Sequence, residues 1–158
     1  MNHELERLKQ ILAVVEREDH HLLAVRERLA CSEQCLDLDW LRATLGDNIG
    51  IDRLESFSSK FSRMQDTLID KLLPQVLLCA GEIPAAAIDN LNRAERLGFI
   101  ESSETWVAMR RLRNRLVHEY IDDVAEMLPA VRKAWAFTDE LHDTYLKIVA
   151  YTRSHFAD

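Results

Sequence analysis

Leu5, Leu8, Leu12, Val15, Leu22, Val25 and Leu29 recur at spacings of three, four and seven, so residues 3 to 30 form one long helix with an apolar stripe and a charged opposite face. A strand of that length is excluded, because its side chains would alternate with a period of two. Composition extends the argument to the rest of the chain. Only 4 Gly and 3 Pro interrupt 158 residues, aromatics are 7%, and β-branched residues are not concentrated anywhere. An all-α fold follows. With 47% apolar and 30% charged positions, the chain suffices for one sizeable core, so residues 1–158 are expected to form a single helical domain.

Further helices can be placed in order. Residues 37 to 45 form a short one, with Asp37 as cap and Gly46 as terminator, followed by a turn over residues 46 to 50. A second long helix runs from about Ile51 to Leu78 on a stripe of Leu54, Phe57, Phe61, Met64, Leu68 and Leu72. Pro74 should bend it or free one backbone bond. Pro84 suits the first turn of a short helix that runs to Leu97 and stops at Gly98. Ser102 or Ser103 caps a helix bearing Trp106, Met109, Leu112 and Leu116, and Asp122 and Asp123 signal the start of a last long helix to about residue 154. Long helices joined by short turns pack antiparallel, which gives an up-and-down bundle of four to five helices.

The longest apolar runs, Ile11 to Val15 and Val76 to Ala80, are five residues each, against roughly 18 for a membrane span. The acidic start lacks the basic and apolar regions of a secretory signal. Cys31, Cys35 and Cys79 are odd in number and lack zinc-type pairing, so they read as free thiols in a reducing cytoplasm, with no chemistry assigned. His20, His21, His142 and His155 have no companions at metal-ligand spacing and read as surface residues.

Net charge is −7, which disfavours a protein that coats nucleic acid indiscriminately. Its distribution is uneven. Four of the 20 basic residues fall within 110 to 118, where there is no acid, leaving sixteen against 27 acids elsewhere. A cationic spot on an acidic body suits local capture of a phosphate. Its arginines must point at solvent, at acids on neighbouring helices or at another subunit, because an unpaired buried guanidinium costs several kcal/mol.

Within that spot Arg113, His118 and Tyr120 are spaced as Arg-x4-His-x-Tyr. Cleaving RNA through its own 2′-hydroxyl needs a base for that proton, an acid for the departing 5′-oxygen, and positive charge at phosphorus. Histidine, with an ordinary pKa of about 6.5, and a permanently charged arginine supply these without a metal or other cofactor. Nearby arginines should push the His118 pKa down, favouring a neutral base. The spacing carries a difficulty: at about 100° per residue, Arg113 and His118 lie about 140° apart around one straight helix, whereas Tyr120 lies about 20° from Arg113. By angle alone, Arg111 or Arg115 is the better partner for His118. Either the helix ends or distorts near His118, or a two-fold dimer sets two such helices side by side.

The stretch Arg113 to Tyr120 resembles the Arg-x4-His-x-Tyr signature of HEPN domains, small helical bundles often encoded beside a minimal nucleotidyltransferase. Its position before a final long helix, the order of helices and the segment Phe61 to Asp66 are similar to that group too, so the resemblance covers the whole chain. It implies a metal-independent endoribonuclease toxin, acting as a cytoplasmic homodimer on an RNA substrate, with Arg113 and His118 catalytic. It also implies a nucleotidyltransferase antitoxin that transfers AMP to Tyr120, where added anionic nucleotide would occupy the phosphate groove. The other reading of Tyr120 is a half-buried aromatic with a bonded hydroxyl. Asn114 either bonds a phosphate or fixes the helix end. Asp66 orients Arg113 or His118, or is simply an exposed acid. Arg111 and Arg115 contact substrate or pair with surface acids. The alternative function is a non-catalytic subunit that binds nucleotide or presents substrate to a separate nucleotidyltransferase, and beyond it a plain helical interaction module.

Overall fold

The computed structural model describes residues 2–118 and 123–156. Among them there is no strand, and the fold is all-α. Helix α1 spans Asn2–Leu29 and buries the expected stripe, with Leu8, Val15, Leu22 and Val25 almost fully covered. A short 3-10 turn, Glu33–Cys35, leads to α2, Leu38–Leu45, whose cap is the anticipated Asp37: its carboxylate accepts from the Trp40 amide at 2.8 Å.

The expected turn over residues 46 to 50 is shorter than the sequence suggests. Asp47 caps α3, Asn48–Thr67, by accepting from the Ile49 amide, so Gly50 belongs to the first helical turn. A Cβ on Gly50 would collide with the Thr44 carbonyl, so this glycine permits the close crossing of α2 and α3. The long helix then continues through a π turn, Leu68–Leu72, into α4, Leu73–Cys79. Pro74 accounts for that turn. It has no N–H for the Asp70 carbonyl, and its ring would crowd that oxygen in a regular helix. The wider turn relieves the crowding, with the Leu73 N–H reaching back five residues to the Leu68 carbonyl.

Pro84 does not open the next helix. Residues 84 to 86 are an extended connection in which the Asn90 amide accepts from the Ala85 N–H at 2.8 Å and donates to the Ala85 carbonyl at 3.0 Å. Helix α5 is therefore Ala87–Arg96, and Gly98, at φ +83°, closes it. Helix α6, Ser103–His118, starts where Ser102 accepts from the Thr105 amide. Helix α7, Val124–His155, starts on Asp123, which accepts from Ala125 at 2.9 Å. Asp122 lies outside the described residues.

The core joins α1, α3, α6 and α7. At its centre Trp106 of α6 meets Phe137 of α7 edge to face at 5.2 Å, Phe137 meets Phe61 of α3, and Phe57 meets Trp135. Trp106 is wholly buried, and its indole N–H donates to Glu140 at 3.1 Å. Truncating a side chain of this size in a packed interior costs about 3–5 kcal/mol. The aromatic cluster thus fixes the rotation of α6 and decides which of its residues face outward. No helix among the described residues is long and apolar enough to cross a membrane.

Candidate functional site

With Trp106 inward, Arg110 and Arg113, three residues apart, share the edge of α6 that faces α3. The opposing residues are Asp70 and Asp66, four apart, the former in the π turn. Arg110 meets Asp70 through two hydrogen bonds, at 3.1 and 3.3 Å. Arg113 Nη2 donates to Asp66 Oδ2, and its Nη1 donates to Asn114 Oδ1 at 2.6 Å. The two pairs run antiparallel, as the two helices do.

These pairs differ in burial. The Arg113 side chain is only 17% exposed, and its Nε is buried without a hydrogen-bond partner among the described residues. Arg110 and Asp70 are exposed to about twice that extent or more, at 36% and 48%. A surface pair of the second kind adds up to about 1 kcal/mol. Removing Asp66 would strand a largely buried guanidinium, a loss of several kcal/mol. Asp66 is therefore the orienting partner of Arg113, one of the two roles its sequence position left open.

The remaining arginines separate in the same way. Arg115 lies 3.9 Å from Glu126 on α7, both well exposed. Arg111 is exposed and makes no ion pair among the described residues. Among the described residues three acids thus face these arginines, and the cationic spot is mostly compensated within the chain. Asn114 spends its carbonyl on Arg113 and not on a helix end.

His118 is the last described residue of α6, and its side chain lies outside what is described, as does the whole of Tyr120. The backbone still bears on the angular difficulty. Arg113 and His118 both belong to one continuous helix, so their Cα positions are about 140° apart around its axis. Both residues lie within the described part of α6.

Two partnerships escape the sequence. Asp70 with Arg110 repeats the Asp66 and Arg113 pair one turn away, and the only available signal was the matching offset along each helix. His142 is a correction: it is half-buried, and its Nδ1 stands 2.9 Å from both oxygens of the buried Asp19 on α1. Nothing local in the sequence joins residues 123 positions apart. His20, His21 and His155 are exposed, as expected. Elsewhere, burial raises the pKa of Glu18, opposed by the Thr67 hydroxyl, and that of Glu140, opposed by the Trp106 indole.

No family model, curated protein or solved structure matches this chain.

Proposed function

We propose that the chain is a metal-independent endoribonuclease of the HEPN type, the toxin partner of a nucleotidyltransferase antitoxin. Arg113 and His118 act on one phosphodiester, and Tyr120 accepts AMP. The observation that carries the reading is the fixed, half-buried Arg113. A guanidinium clamped by Asp66 and Asn114 within a helix presents a set geometry, as charge stabilisation at phosphorus requires. Arg111 would supply the exposed cation that first meets RNA. A homodimer supplies His118 from across a two-fold axis, which removes the angular conflict within one helix.

The pairing of three arginines with acids favours a second reading, a non-catalytic subunit that binds nucleotide or presents substrate to a separate nucleotidyltransferase. One experiment separates them. Purified protein in EDTA is expected to cleave RNA and leave cyclic phosphate ends. His118→Ala and Arg113→Ala should each lower the rate about 100-fold or more, the scale of losing a general base or a charge clamp, with helicity by circular dichroism unchanged. Intact RNA with wild-type protein, alongside adenylate on Tyr120 after incubation with the nucleotidyltransferase and ATP, would select the second reading. Cleavage indifferent to both substitutions would reject the site.

A further inference from the structure

Cys31 and Cys35 flank the Ser32 hydroxyl in the connection between α1 and α2. Ser32 Oγ lies 3.4 Å from Cys35 Sγ and 4.0 Å from Cys31 Sγ. The one hydroxyl thus touches both thiols, four residues apart in the same loop. Cys31 is exposed, Cys35 is half-buried, and the 3-10 turn that carries Cys35 buries none of its residues. No third His, Cys, Asp or Glu groups with them among the described residues, so this is a dithiol and not a metal cluster.

We infer that Cys31 and Cys35 form a reversible peroxide-sensitive pair, with Cys35 the attacking thiol, Cys31 the resolving thiol, and a disulfide across the loop as product. The assignment of roles follows from the contacts. Hydrogen bonding by Cys31, and then by Ser32, holds the Cys35 thiol below its ordinary pKa, against weaker opposition from burial and Asp37. The thiolate is the nucleophilic form. Cys79 is the internal contrast, since burial, with Glu4 adding to it, pushes its thiol up.

The chemistry balances with hydrogen peroxide as oxidant. The Cys35 thiolate attacks one peroxide oxygen, the O–O bond breaks, and the leaving hydroxide takes a proton to become water, giving a sulfenic acid. Cys31 then attacks the Cys35 sulfur. The S–O bond breaks, the second hydroxide leaves as water with the Cys31 proton, and the S–S bond forms. Two thiols and one peroxide yield one disulfide and two waters, and a dithiol reductant reverses the change. The loop has a fixed anchor on which closure acts. Leu36, wholly buried, follows directly, and its carbonyl accepts from Arg132 of α7 at 3.0 Å.

The test treats the full chain with limiting hydrogen peroxide, blocks free thiols by alkylation, and digests with trypsin. Cleavage after Arg28 and Arg42 leaves both thiols on one peptide, whereas Cys79 falls on another. The expected product is the first peptide unalkylated and two hydrogen atoms lighter, with Cys79 alkylated as in untreated protein and dithiothreitol restoring both alkylation sites. Cys31→Ser should lose the disulfide and let a cyclic 1,3-dione trap sulfenic acid on Cys35. Cys35→Ser should lose both products. Oxidation of Cys79 as early as Cys35, cross-links between chains only, or oxidation of Cys31 that persists in Cys35→Ser would overturn the inference. Neither serine variant disturbs a buried position, so circular dichroism should confirm that both are folded.

Discussion

Glu18 shows how a single carboxylate can weigh against the fold that holds it. Its Oε1 lies 3.0 Å from the Thr67 hydroxyl, while its Oε2 is buried with no partner among the described residues. Burial raises its pKa more than Thr67, Arg63, Lys71 and Arg17 lower it. The folded state therefore binds this proton more tightly than the unfolded chain. The contribution of the site to stability is full when Glu18 is protonated and declines as pH rises from the ordinary carboxylate range through the raised folded value. Glu18→Gln keeps an acceptor for Thr67 and removes the titration. Thermal unfolding should place the Tm of this variant at or above wild type at neutral pH, with the advantage vanishing in acid; a variant penalised only at neutral pH would contradict this account. At this scale the sequence was legible in residue types more than in partners. It offered Asp66 as an orienting partner of Arg113 or His118, or as an exposed acid, without deciding among them, because the choice depends on how Trp106 rotates α6. It read His142 as a surface residue, because Asp19 lies on a helix far away in the chain.

The elements themselves were plain in the periodicity. The limits of α1, α2 and α7 and the start of α6 fell within a few residues of their expected places, since apolar spacing and capping residues are local signals. What escaped were features set by neighbouring elements. Pro74 was expected to bend the helix or free one bond. The answer is a π turn, which also carries Asp70 toward Arg110. Gly50 was read as part of a turn, yet it is helical and bare because α2 crosses over it. Gly50→Ala should cost about 1–3 kcal/mol, the scale of overpacking, since the obstructing atoms are backbone that cannot rotate away. Gly46→Ala is the control. Its φ is −84°, and the nearest atom to a new Cβ is 3.3 Å away, so its effect should stay within about 1 kcal/mol. Chemical denaturation of both variants measures the difference, and equal effects would mean that the helix crossing is not what demands glycine at position 50.

At the scale of the whole molecule, the proposed function requires α6 to focus two residues about 140° apart on one phosphate. On the described turns of α6 the two Cα positions point apart, because both residues lie on one continuous helix. A two-fold axis beside α6 supplies a route: Arg113 of each subunit then faces His118 of the other, and the same surface meets itself. This arrangement can be separated from a single-chain site by complementation. Arg113→Ala chains retain His118, and His118→Ala chains retain Arg113. A mixed dimer of the two holds one fully intact composite site and one doubly defective site. Random mixing makes about half the dimers mixed, so a composite site should recover roughly a quarter of wild-type RNA cleavage, while each variant alone stays near background. A site built within one chain recovers nothing, since no chain in the mixture carries both groups. Light scattering on the same samples establishes that dimers are present. Dimers without recovery would return the angular conflict to α6 itself and point to distortion of the helix end as the remaining way to bring the imidazole to the guanidinium.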